Sequence, residues 1–163
     1  MTVNKREAAA IARLRPRAVA GDSVAASNIA AGYRILGRWR LAFRWWARGA
    51  AAGDGSDMLE AAYCYHHGLG VRRNAASARR LYERAIQSRT ISQFEHEEAM
   101  YHLAVLLLQV SRNDAARARA RKLLRDANVD RDYPQAATLH ASVSTNGQEL
   151  CVCRRRLRPG LLL

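Results

Sequence analysis

The residues of this 163-residue chain best suited to chemistry are its histidines, cysteines and arginines. His96, Glu97 and His102 have the residue types of a zinc-protease helix, whose two histidines must lie four residues apart on one face. Here they are six apart, which turns them about 120° from each other on a helix, so no catalytic zinc is expected. Cys64 with His66 or His67, and Cys151 and Cys153 with His140, offer metal ligands. Neither set is completed by a second Cys-x-x-Cys or His-x-x-x-His pair. Cys64 reads instead as a small core residue, and His66 with His67 as a helix end where imidazole can cap carbonyls. Cys151 and Cys153 stand beside Arg154, Arg155 and Arg156, a setting that lowers a thiol pKa, but no His–acid pair is placed to serve a nucleophile. Gly68-Leu69-Gly70 lacks the trailing glycine and the strand–loop–helix context of a phosphate loop. The expectation is a chain that is not an enzyme and uses no metal or cofactor.

Arginine is the more informative type. The formal charge is +13, from 27 basic and 14 acidic residues, and Lys5 and Lys122 are the only lysines. Such a field attracts an acidic protein surface or a polyanion, although arginine also serves as an ordinary solvated helix former. Arg40, Arg44 and Arg48 recur every fourth residue and form a basic stripe on one helix. Arg117, Arg121 and Arg125 form another, and Arg154, Arg155, Arg156 and Arg158 make a terminal run. These are the candidate partner-binding residues, either lining a concave face or standing as solvent-facing ridges. Nucleic acid is the alternative partner, since arginine neutralises phosphates and aromatic rings stack on bases. Against it, the aromatic residues fall at positions that suit packing.

These stripes need helices to carry them. The chain has three Pro and ten Gly and is 49% hydrophobic, a composition that favours a packed, mainly helical protein. Three cysteines without a disulfide framework, and an N-terminus without a continuous apolar core, give the expectation of a reducing, cytoplasmic setting. Leu103 to Leu108 is the longest apolar run and is too short to span a bilayer, so no membrane partner is expected.

Asn4 and Glu7 suit a helix start, and Pro16 is expected to kink or end that helix before Gly21. A first unit then carries Ala26, Ile29, Ala30 and Tyr33, a corner near Gly37, and Leu41, Ala42, Trp45 and Trp46, closing at Gly53-Asp54. A second runs from Asp57 to Arg89, with one helix ending at His66 and His67, a Gly68–Val71 corner, and a second helix from about Ala75. Ala30 and Tyr33 match Ala62 and Tyr65 at an offset of 32, and Ala42, Trp45 and Trp46 match Ala78, Leu81 and Tyr82 at 36. After a connector from Ser88 to Phe94, a third unit carries Leu103, Ala104 and Leu107, then Ala120, Leu123 and Leu124. Asp132-Tyr133-Pro134 begins a fourth first-helix, expected to run to about Ser142. Beyond it, Asn146-Gly147 implies an irregular tail or a short β-hairpin. The division is a repeat domain over 1–143 and a basic tail over 144–163.

The Gly-Asp unit ends, the run Ala62-x-x-Tyr65-x-x-Gly68-x-Gly70-Val71 and the run Ala78-x-x-Leu81-Tyr82-x-x-Ala85 resemble Sel1-like repeats, relatives of tetratricopeptide repeats. The resemblance covers roughly residues 21 to 143. It implies an all-α solenoid of antiparallel helix hairpins that serves as a protein-contact scaffold. In bacteria such repeats resemble adaptors, secretion-associated proteins and immunity partners of toxins. The expectation is a protein of about three and a half repeats that binds an acidic protein, in its sharpest form a toxin that it neutralises.

Overall fold

The computed structural model describes residues 3–110, 113–127 and 138–140. Among these there are seven long helices and no strand: α1 Val3–Val19, α2 Ser23–Ile35, α3 Trp39–Ala52, α4 Gly55–His67, α5 Ala75–Gln87, α6 Gln93–Val110 and α7 Asp114–Asp126. Residues 138–140 are helical, in the expected fourth first-helix, and Leu139 packs against the main core. The tail over 144–163, with its candidate hairpin, lies outside the described residues, as does the boundary at 143. No helix among the described residues is long and apolar enough to cross a membrane.

Short polar side chains start the helices. Asp22, Asp54, Asn74 and Asn113 each accept the backbone N–H three residues on, from Ala25, Asp57, Ser77 and Ala116 at 2.8–3.0 Å. Each such cap is worth about 1 kcal/mol, because it satisfies a donor that the helix cannot. This is why Asp22 and Asp54 mark the units. The connector before α6 is shorter than expected. Ser92 Oγ accepts from Glu95 N at 3.3 Å and the Glu95 carboxylate accepts from Ser92 N at 3.0 Å, a reciprocal capping box that begins the helix before Phe94. Pro16 lies inside α1, which runs on to Val19. A proline near a helix end forfeits few bonds, and Ala20 N still donates to Pro16 O at 3.0 Å.

Each helix packs on its predecessor and successor, and α4 also meets α6. Successive hairpins are thus in contact along the chain, as an all-α helical repeat requires. Ala30, Ala62 and Ala104 on the first helices, and Ala42, Ala78 and Ala120 on the second, are fully buried. With only a methyl group at these points the helix axes approach closely, and Trp46, Tyr82 and Leu124 fill the space beside them. Phe43 meets Tyr65 edge to face at 5.0 Å between the first and second units. In α6, Ala99, Met100, Leu103, Ala104 and Leu106 to Leu108 are buried almost all round, because α4, α5 and α7 surround it.

The Gly68–Val71 corner joins two units. Gly70 has φ +70°, and a Cβ there would overlap the Trp39 carbonyl and the Arg40 amide, so the corner lies directly on the backbone that opens α3. Gly37 has nearly the same φ, +68°, with open space around it. Gly70→Ala combines left-handed strain with a backbone overlap and is expected to cost on the order of 3 kcal/mol, against about 1 kcal/mol for Gly37→Ala. Urea unfolding of the two variants measures the difference, and equal losses would remove the close approach at Gly70.

Candidate functional site

Two sets of side chains can carry function: the arginines of the second helices and a polar aromatic cluster on the first. On α3, Arg40, Arg44 and Arg48 are exposed and form no ion pair among the described residues. Each stands two residues from a buried position, Ala42 or Trp46, which places it about 200° round the helix from the core. The same relation holds for Arg80 and Arg84 against Ala78 and Tyr82, and for Lys122 against Ala120. All three are exposed and likewise unpaired with any acid among the described residues. Arg44, Arg80 and Lys122 occupy one repeat position and Arg48 and Arg84 another, with Asp126 ending the second row on α7. Between Asp22 and Asp54 there is no acidic residue, and the acid of α5, Glu83, is held by Arg79 at 3.0 Å and Arg119 at 2.8 Å.

The arginines of α7 are placed differently. Arg117 is half-buried and 3.5 Å from Asp114, and Arg121 and Arg125 are exposed on the flank, one residue on from buried Ala120 and Leu124. Glu83, at the repeat position of Arg125, is the residue through which α5 reaches α7. Arg121 and Arg125 therefore lie on the side of α7 away from α5 and outside the rows of Arg44 and Arg48. Arg154, Arg155 and Arg156 lie outside the described residues. Sequence reading missed Arg80, Arg84 and Lys122, although the offset of 36 that matches Ala42 to Ala78 also carries Arg44 to Arg80.

The second set is built around His66, whose ring is buried between α4, α5 and α6. Gln109 Oε1 accepts from Arg73 Nη2 at 3.3 Å and lies 3.0 Å from His66 Nε2, so the imidazole donates there. Its Nδ1 then faces the Tyr82 hydroxyl at 3.4 Å as acceptor. The expected carbonyl cap by imidazole is replaced: Arg73 Nε donates to His66 O at 3.0 Å, because the His66 ring turns inward. His67 stacks on His66 at 4.3 Å, and Tyr63 and Tyr82 enclose His102. Burial pushes both His66 and His67 down to about 4, with His102 and Arg73 adding to the effect. They are neutral at pH 7 and cannot act as acids there. Cys64 is fully buried, and burial pushes its thiol up to about 12, which makes it unreactive. Among the described residues no group of three or more His, Cys, Asp or Glu is arranged to hold a metal ion. His96 lines an open cleft with Ile86, Met100 and Lys122, away from the tyrosines around His102. Cys151 and Cys153 lie outside the described residues.

Asp57 is buried where α2, α3 and α4 meet. One oxygen accepts from Ser27 Oγ at 2.9 Å, and the other has no partner among the described residues and lies against Gly49, where a Cβ would overlap it. Burial pushes this carboxyl up to about 7; the Ser27 bond opposes the shift, while Asp54, Glu60 and Glu95 add to it. From its ordinary 3.8 up to about 7 the folded chain keeps a proton that the unfolded chain has released. Stability from this group is therefore full below the window and falls as pH rises through it.

Asp57→Asn removes that dependence. The stability of the variant relative to the parent is expected to rise by about 1.4 kcal/mol per pH unit through the window and level off above pH 7. His66 and His67 act in the opposite sense, so the parent loses stability as pH falls from 6.5 towards 4. Denaturant titrations of both proteins across this range read the two effects, and a flat difference curve would mean that Asp57 titrates normally. No family model, curated protein or solved structure matches the chain.

Proposed function

We propose that this protein is a Sel1-like α-solenoid scaffold that binds an acidic partner protein through the arginines of its second helices and carries out no catalysis itself. The observation that carries the reading is the set of exposed cations, Arg40, Arg44, Arg48, Arg80, Arg84 and Lys122, with no acid paired to them among the described residues. Like charges repeated at this spacing repel one another, and an acidic surface seated on them removes that repulsion. The helical hairpins in sequential contact support the solenoid reading, because each presents its second helix at an equivalent place. Neutralising a toxin is the sharpest form of this function, with a single tight partner. Nucleic acid is the weaker reading: Trp46 and Tyr82 are buried, and the other rings of α3, Trp39, Phe43 and Trp45, are half-buried and packed against the core, which leaves little ring face for a base.

Recovery of the tagged chain from its native cells at low salt is expected to bring down one acidic protein in stoichiometric amount and no nucleic acid absorbance. Arg40→Ala, Arg44→Ala and Arg48→Ala together are expected to weaken that complex by about tenfold or more and to flatten its salt dependence. Unchanged affinity and salt slope, measured by titration calorimetry on the purified pair, would return the stripe to ordinary solvated surface.

A further inference from the structure

The class of acidic surface follows from how the cations are spaced, given the reading above on which it rests. We infer that the partner presents an α-helix with carboxylates at four-residue intervals, laid along α3. Arg40, Arg44 and Arg48 repeat at about 6 Å along their helix axis, the rise of four helical residues. A partner helix with Glu or Asp at i, i+4 and i+8 has the same repeat, so three guanidinium–carboxylate pairs form without strain in either backbone. Arginine suits this use, because its planar fork takes a carboxylate through two parallel N–H bonds. The surface beside the stripe is also permissive. Ala51 is exposed beside Arg48 on the outward side of α3, and half-buried Ala47 stands on the flank toward α5. A rod can therefore approach α3 closely enough for the long arginine side chains to flank it. Arg80 and Arg84 repeat the four-residue spacing on α5, so a second acidic stripe on the same partner has a place to pair.

Competing anions fit less well. Single-stranded nucleic acid needs exposed rings, whereas Trp46 and Tyr82 are in the core and the half-buried Trp39, Phe43 and Trp45 pack against it. On α7 the spacing is interrupted by Asp126, and Arg117 already has Asp114, so the row that selects a helix is on α3 and α5.

Three probes on the full chain test this by fluorescence anisotropy at low and moderate salt. One is a helix-stapled peptide with glutamate at every fourth residue. The second is the same peptide with its glutamates distributed round the helix at equal net charge, and the third is a random duplex DNA. The in-register peptide is expected to bind about tenfold tighter than its redistributed form. Arg44→Ala with Arg48→Ala is expected to abolish that preference with an unchanged circular dichroism spectrum, whereas Arg121→Ala with Arg125→Ala leaves it intact. Equal binding of the two peptides would overturn the helix inference while leaving an acidic partner in place. Tighter binding of DNA than of either peptide, or binding of none of the three, would overturn both.

Discussion

Close approach of neighbouring helices over buried alanines is the constraint on which the rest of this structure depends. Ala30, Ala62 and Ala104 on the first helices and Ala42, Ala78 and Ala120 on the second leave no volume between backbones, so large side chains must lie beside the contact rather than in it. Trp46, Tyr82 and Leu124 take those places, one turn along from each alanine of the second helices. The same geometry fixes the outside. A residue two positions from a buried alanine points away from the core, and in three successive units that residue is Arg44, Arg80 and Lys122. Packing and charge are thus two readings of one register.

Alanine contacts are non-directional and would tolerate a sliding of one helix along another. The buried polar groups remove that freedom, because a hydrogen bond has one register. Asp57 of α4 takes its bond from Ser27 of α2 and needs Gly49 of α3 to leave room, so three helices are placed by one carboxyl. His66 does the same for α4, α5 and α6 through Tyr82 and Gln109. These groups are costly to bury, and they sit at joints between units rather than in an open cleft, which is where a structural role for them is most economical.

Much of this was legible in the chain. The Asp and Asn caps, the matched alanines and tyrosines and the apolar face of α6 are local or periodic signals, and the helices fall where those signals put them. What was not legible depends on distant partners. Nothing near Asp57 announces that Ser27 and Gly49 meet it, and an acid in a first turn reads as a helix-dipole residue. Turning the His66 ring inward required Gln109, more than forty residues away. Ser92 lies inside the stretch read as connector, and its reciprocal bonds with Glu95 form a local motif that starts α6 there. For the candidate surface, Arg40, Arg44 and Arg48 are readable from spacing alone. Spacing alone also selects Arg117, Arg121 and Arg125, and only their position relative to buried Ala120 and Leu124 separates the two stripes.

That separation matters because α3 carries charge that its own ends and neighbours do not offset. It has no acid in its first turn, its N-cap residue Arg38 makes no side-chain bond, and its three arginines stand in like-charge pairs that cost about 0.2–0.5 kcal/mol each. Its alanines, arginines and leucine favour helix intrinsically, and packing offsets the repulsion: Ala42, Trp46 and Ala50 are buried, and Gly70 of the following unit closes on the Trp39–Arg40 peptide. An anion seated on Arg40, Arg44 and Arg48 relieves the repulsion that packing otherwise has to overcome. An anion that bound this face would therefore also stabilise the first two units, by an amount that grows with its concentration relative to its dissociation constant.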